Sequence, residues 1–332
     1  MSFLRRAPAL VALVLLVALG ALLHPGFLSV RVATDLVSDG AVLGIAALGA
    51  TCVLVCGGLD LSIGSVMAAS SVLLAMLLER AGLGPAPSVA IVVAAGAACG
   101  LAQGACIHFL SLPPFLVTLA GMFLFRGLAL SVAAESITIR DPEWAALSGA
   151  DIHVGAVVLR APAILFLLAS FVLALFAWRS VLFRHLHAIG GDDRAAFLLG
   201  VPVRRTRLIA YALSGACAAL AGVAFALTAS AGSSVSGAGL ELEAIAAAVV
   251  GGVALGPGRG SWSGKGRGGF GGTLLGVLLF GVIADLILFQ GTLSAGWTRV
   301  AMGAMLLVFL ALERLLSSRP RVTGVAPQAP QN

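Results

Sequence analysis

Charge is what this sequence has least of. Only 10% of its 332 residues are Asp, Glu, Lys or Arg, against about 25% in a soluble globular domain. So few charges cannot cover a water-facing surface, so lipid is the solvent for most of the chain. Metal and catalytic chemistry are missing too. The five cysteines (Cys52, Cys56, Cys99, Cys106 and Cys217) lie in apolar runs, and no Cys–His cluster has zinc spacing. Cys52 and Cys56 stand one helical turn apart without a third ligand, so they read as packing residues. No serine–histidine–acid set or nucleotide fingerprint occurs, and the five histidines are scattered. The nearest approach to a phosphate loop is Gly258–Gly272 (GRGSWSGKGRGGFGG). A P-loop needs glycine five residues before Gly264 and Ser or Thr after Lys265. Arg259 and Gly266 occupy those places and no strand precedes them, so the stretch reads as a basic loop touching headgroups or a partner. The chain is not expected to be an enzyme or to hold a metal or cofactor.

What is present is apolar sequence, 60% of the residues, and 42 glycines. Small residues let membrane helices approach closely, and Gly96, Gly100 and Gly104, like Gly268, Gly272 and Gly276, form such faces. A span needs about 20 apolar residues. Ten runs qualify: 7–23, 36–56, 62–79, 87–110, 115–134, 162–178, 207–229, 241–256, 269–289 and 296–316. The runs at 62–79 and 241–256 are the weakest and read either as full spans or as broken, re-entrant helices. Arg5 and Arg6 before Pro8–Leu23 resemble a signal peptide. The run is long for that role, and its one small-x-small site, Ala18-Leu19-Gly20, lies inside it, so an uncleaved first span is expected.

Placing the amino terminus inside and alternating sides tests the count. Fourteen of the 20 Lys and Arg residues then fall inside and five outside, a strong positive-inside bias that one missed span would scramble. The expected fold is an all-α polytopic membrane protein of about ten transmembrane helices with both termini cytoplasmic. Residues 1–318 form a single transmembrane domain with an arginine-rich inner loop at 179–207. Residues 319–332, rich in Pro, Gln and Ala, are expected to form a disordered tail. An acidic outer loop spans Glu135–Asp151. Gly44–Gly58 and Ala244–Gly258 show a faint internal similarity, and both run outside to inside.

Several segments could carry function. Gly57–Ser65 (GGLDLSIGS) places Asp60, Ser62 and Ser65 between two apolar runs. Asp60 or Ser62 either caps the next helix in a tight turn or opens it on a solute pathway. Glu241 and Glu243 open an apolar stretch, as caps or as pathway lining. Arg126 and Asp285 are charges inside spans, functional by default unless they pair with neighbours. On the inner loop, His187–Val201 describes a small helix starting at Asp192-Asp193 and stopped by Gly200. Its Phe197, Leu198 and Val201 form an apolar side that either a partner protein or lipid headgroups would cover.

Four blocks then carry a family resemblance: Gly57–Ser65, Ala188–Val201 (AIGGDDRAAFLLGV), Tyr211–Ala221 (YALSGACAALA) and Leu240–Gly252 (LELEAIAAAVVGG). In this order they resemble permease subunits of ribose/galactose-type ABC sugar importers, over about residues 25–315. Within that family, Pro114–Arg126, Glu135–Arg140 and Gln290–Trp297 look most like the second permease of galactofuranose importers. The resemblance implies a bacterial inner-membrane subunit working with a second permease, a cytoplasmic ATPase that uses the ATP, and a periplasmic sugar-binding protein. It implies that Gly191, Arg194, Ala195, Ala196 and Gly200 belong to the ATPase-coupling helix. Arg194 stands where many relatives carry an acid. The implied activity is monosaccharide import by alternating access. The rival reading is an ion-gradient-driven secondary transporter using Asp60, Arg126 and Asp285 as relay charges.

Overall fold

The computed structural model describes residues 3–155, 157–253, 269–291 and 296–317. The basic stretch 257–268 and the tail 319–332 lie outside the described residues. The first half of the chain runs through α1 (Phe3–Leu23), α2 (Val30–Asp39), α3 (Ala41–Val55), α4 (Ile63–Glu79), α5 (Pro85–Phe109) and α6 (Pro114–Val132). A compact connection follows: β1 (Ile137–Thr138), α7 (Pro142–Ser148), β2 (Asp151–Val154) and β3 (Val157–Arg160). The second half comprises α8 (Ala161–Arg179), α9 (Val181–Gly191), α10 (Asp193–Leu198), α11 (Val203–Ala229), β4 (Ala231–Gly232), α12 (Leu240–Val250), α13 (Phe270–Gln290) and α14 (Gly296–Ser317).

Each of the ten apolar runs is occupied by helix, as an all-helical multi-pass membrane protein requires, because a helix satisfies its own backbone groups in lipid. Five helices, α5, α6, α8, α11 and α13, are long and apolar enough to cross a membrane. The pair α2–α3, bent by 53°, passes the same test only when its two helices are taken together, as a broken span or a re-entrant loop. Helix α4 and the apolar parts Ala9–Leu23 and Gly296–Phe309 of α1 and α14 are shorter, and α12 has only 11 residues.

Local chemistry sets the boundaries. Prolines open α5, α6, α7 and α8, where a missing N–H costs nothing. Helices α3 and α12 end alike. Gly58 N–H bonds to the Val53 carbonyl and Gly57 N–H to Leu54, while Val253 bonds to Ala248 and Gly252 to Val249. Both are Schellman turns, with Gly57 at φ 78° and Gly252 at φ 94°. The equivalence is therefore offset by five residues from the one the sequence similarity suggests.

Helix α3 is buried on nearly every side, as expected of a helix apolar all round. Helices α11, α12, α8 and α13 surround it, and α11 also packs on α5 and α4. The glycine faces make the closest of these contacts. A methyl on Gly100 would run into the Tyr211 carbonyl, and one on Gly96 would meet Ala219 and the Gly215 carbonyl. Gly272 and Gly276 likewise abut the carbonyls of Gly251 and Ala247. Thr51 and Thr273 join α3 to α13 through their hydroxyls at 2.7 Å.

The connection after α6 holds more structure than an acidic loop. Strands β2 and β3 form an antiparallel hairpin with Asp151 opposite Arg160, turning at Gly155, φ 61°. Strand β1 pairs with β4, and Glu79 accepts hydrogen bonds from Arg140 and Asp141 N–H at 2.6 and 2.8 Å.

Candidate functional site

The Gly57–Ser65 turn links α3 to α4 and takes hydrogen bonds from three further helices, α5, α6 and α11. Asp60 is only 3% exposed. Its Oδ1 accepts from Ser62 N–H at 2.9 Å and from the Ser62 hydroxyl at 2.7 Å, and its Oδ2 accepts from Ser214 of α11 at 2.7 Å. Having donated to Asp60, the Ser62 hydroxyl accepts from Gln103 of α5 at 3.0 Å. The Leu59 carbonyl accepts from Tyr211 of α11 and Thr118 of α6, both at 3.3 Å. Ser65 donates back to the Ser62 carbonyl at 2.7 Å. Neither Asp60 nor Ser62 caps α4 through a first-turn N–H. The aspartate instead closes a turn onto Ser62 and fixes that turn to α11.

A second cluster forms where the chain approaches α12. Helix α11 ends at Ser230, φ 48°, and the following residues run extended beside α4. Ser233 N–H donates to the Ser71 hydroxyl at 3.1 Å, and the Ser234 hydroxyl donates to the Ala133 carbonyl at 2.7 Å. Arg126 of α6 donates from one nitrogen to the carbonyls of Ser234 and Ser236, each at 2.6 Å. Non-helical backbone needs such partners when buried away from water. Gly237 and Gly239, φ 72° and 90°, then turn the chain into α12.

Glu241, 8% exposed, accepts from Gly239 N–H at 3.2 Å through Oε1. Its Oε2 is buried with no hydrogen-bond partner among the described residues. That oxygen, with the Gly237 carbonyl, occupies the space a side chain at Gly64 would need. The second cluster thus touches the first at the start of α4. Glu243 points elsewhere, 3.7 Å from Arg299.

Asp285 stands apart. It lines a pocket with Asp35, Asp39, Arg31 and Arg160, in which Arg160 and Arg31 approach Asp35 at 3.3 and 3.7 Å. Among the described residues no hydrogen bond or ion pair joins Asp285 to Asp60 or Arg126.

The inner loop forms two helices. Asp192 caps α10 by accepting from Arg194 and Ala195 N–H at 2.9 and 3.0 Å, and Asp193 pairs with Arg207 at 2.7 Å. Ala196 is turned inward, 2% exposed, while Phe197, Leu198 and Leu199 are 71%, 83% and 83% exposed. Val201 is half-buried against the core. Gly191, Arg194, Ala195 and Gly200 are on the surface, and Gly200 ends the helix at φ 82°. Gly190 of α9 lies against the Val55 carbonyl and Cys56. The exposed helix thereby reaches the end of α3, five residues before Asp60.

The sequence singled out Asp60, Ser62, Arg126 and Glu241 but not their partners Ser214, Gln103, Tyr211 and Thr118. Gln103 carried a signal: an amide inside an apolar helix needs a partner.

Residues 32–310 match the family described as branched-chain amino acid transport system / permease component. The inner membrane ABC transporter permease protein YjfF of Escherichia coli K12 is 41% identical over 88% of this chain and 86% of its own. The chain belongs to this family of ABC transporter permeases. The fructose import permease protein FrcC of Rhizobium meliloti is 32% identical, covering 94% of this chain and 87% of its own length. The ribose import permease protein RbsC of Bacillus subtilis is 32% identical over 92% of each chain. No solved structure matches. The permease is a transport subunit and not an enzyme.

Proposed function

We propose that this permease translocates a monosaccharide, galactofuranose or a similar sugar, across the bacterial inner membrane as one subunit of an ABC importer. The observation that carries the reading is the apolar α10 face, Phe197 to Leu199, standing exposed at one end of the bundle. Relatives named for fructose and ribose import support the sugar class. In this reading the ten apolar runs are ten spans with both termini cytoplasmic, and α10 docks on a cytoplasmic ATPase. A second permease, identical or related, completes the pathway, and a periplasmic binding protein delivers the sugar.

The geometry suits alternating access. ATPase closure would push on Phe197, Leu198 and Leu199. Helix α9 would pass that movement through Gly190 to the end of α3. The Asp60 junction ties that end to α4, α5 and α11, so the helices move together rather than bending singly. The non-helical segment 231–239 and the half-length α12 place main-chain carbonyls, Arg126 and Glu241 within the bundle. Such groups exchange hydrogen bonds with sugar hydroxyls at small net cost. Ser62, Ser65, Glu243 and Asp285 are secondary pathway candidates, and Arg194 and Ala195 flank the docking face.

Co-purification with the binding protein and identification of its ligand by mass spectrometry tests the substrate. A furanose or other monosaccharide is expected. An amino acid ligand, the class in the family's description, would overturn the sugar assignment.

A further inference from the structure

At the end of the bundle where α10 meets α11, an open groove bordered by Phe197 and Leu198 of the proposed docking face contains a charge imbalance. His108, Arg194, Arg204, Arg205 and Arg207 line it among apolar side chains. Asp193 neutralises Arg207. Among the described residues no carboxylate lies within ion-pair distance of Arg194, Arg204 or Arg205, and all three are exposed. Three of the arginines occupy the first two turns of α11, a 27-residue helix with no acid in its first turn and no side-chain cap. The start of a helix carries partial positive charge and unpaired N–H groups, so cations are misplaced there and an anion is favoured.

The groove also borders exposed apolar surface. The Arg204 guanidinium lies over the Phe109 ring, 4.5 Å from its centroid. Phe109 begins a run of exposed apolar side chains continuing through Leu110, Leu112, Phe115 and Leu116. A small anion would satisfy the arginines and leave that apolar run unused. A lipid with a phosphate head uses both.

We propose that this groove binds an anionic phospholipid, with Arg204 and Arg205 on the phosphate and the acyl chains along the end of α5 and the start of α6. Basic pockets between membrane helices recognise lipid headgroups in this way. The inference rests on the proposed orientation only for assigning the lipid to the cytoplasmic leaflet.

The full-length protein in mixed micelles of phosphatidylglycerol and phosphatidylcholine provides the test, with retained lipid counted by native mass spectrometry. Phosphatidylglycerol should be kept preferentially. The Arg204→Gln/Arg205→Gln variant should retain about 25-fold less, since about 1 kcal/mol per basic residue is about 5-fold each. The charge-matched Arg179→Gln/Arg184→Gln variant, altered at exposed positions outside the groove, should retain it normally. Equal retention in the two variants overturns the proposal. Complete displacement by millimolar inorganic phosphate also overturns it, since the groove would then take a free anion. So does loss of ATPase co-purification from Arg204→Gln/Arg205→Gln with lipid retention intact, which would give the groove to the protein partner. Lipid retention requires no transport, so this result stands or falls apart from the sugar assignment.

Discussion

Replacing Asp60 separates a role in joining helices from a role for its charge in the pathway. Alanine removes the acceptor of three hydrogen bonds, at 2.9, 2.7 and 2.7 Å, and leaves the buried Ser214 hydroxyl without its acceptor. At about 0.6 kcal/mol each, the average between membrane helices, the loss is about 2 kcal/mol. At about 1.5 kcal/mol each, the lower figure for bonds to a charged group, it is about 4.5 kcal/mol. Asparagine keeps the shape. Its Oδ1 accepts both Ser62 bonds, and its amide donates to Ser214, whose hydroxyl then acts as acceptor, so the loss should stay below about 1 kcal/mol. Unfolding of the purified permease by SDS in mixed micelles, followed by tryptophan fluorescence, measures both, with sugar uptake recorded in parallel. Asp60→Ala should be destabilised by about 2–4.5 kcal/mol, and Asp60→Asn should be stable and active. An Asp60→Asn protein as stable as the parent but inactive would refute the joining role, because the charge itself would then be needed.

Glycine contacts give predictions of opposite sign. Gly100→Ala forces α5 off the Tyr211 carbonyl and should cost about 1–3 kcal/mol, whereas Gly127→Ala, with open space around it, should be neutral or stabilising by up to about 1 kcal/mol in the same SDS titration. Arg126→Met frees the carbonyls of Ser234 and Ser236 and should raise the labelling rate of a cysteine placed at Ser236, with a stability loss of about 1–3 kcal/mol. Normal labelling would show that Arg126 does not hold the segment. On α10 the two faces should behave differently. Leu198→Asp should abolish ATPase co-purification while changing stability by less than about 0.5 kcal/mol, and Ala196→Phe should cost about 1–3 kcal/mol of stability through overpacking.

The parts legible in the sequence are those with strong local causes. Scarce charge and long apolar runs located the helices that occupy the ten apolar runs, five of which are long and apolar enough to cross a membrane. The four-residue glycine period in Gly96–Gly104 identified the α5 face that lies on α11, because close approach demands small residues on one side of a helix. Asp192 and Gly200 marked both ends of α10. Other features depend on distant contacts. Asp60 is bound by Ser214, 154 positions away, and no local pattern distinguishes that partner from a cap. The segment 231–239 (AGSSVSGAG) looks like any polar loop, and only Arg126 reaching its carbonyls shows how it lies inside the bundle. The hairpin at 151–160 was hidden because two four-residue strands give too short an alternation to read. For α10, helix geometry fixes which residues face out, and it turns Ala196 inward and Leu198 outward.

In the proposed function, ATP hydrolysis on a partner, acting through α10, drives sugar movement through this permease. Uptake of radiolabelled sugar should be measured in proteoliposomes holding the permease, its partner permease and the ATPase, with binding protein and an imposed proton or sodium gradient as separate variables. Uptake should require ATP and binding protein, be indifferent to the ion gradient, and disappear with Leu198→Asp. Uptake that persists without the ATPase and collapses with the gradient would contradict that function.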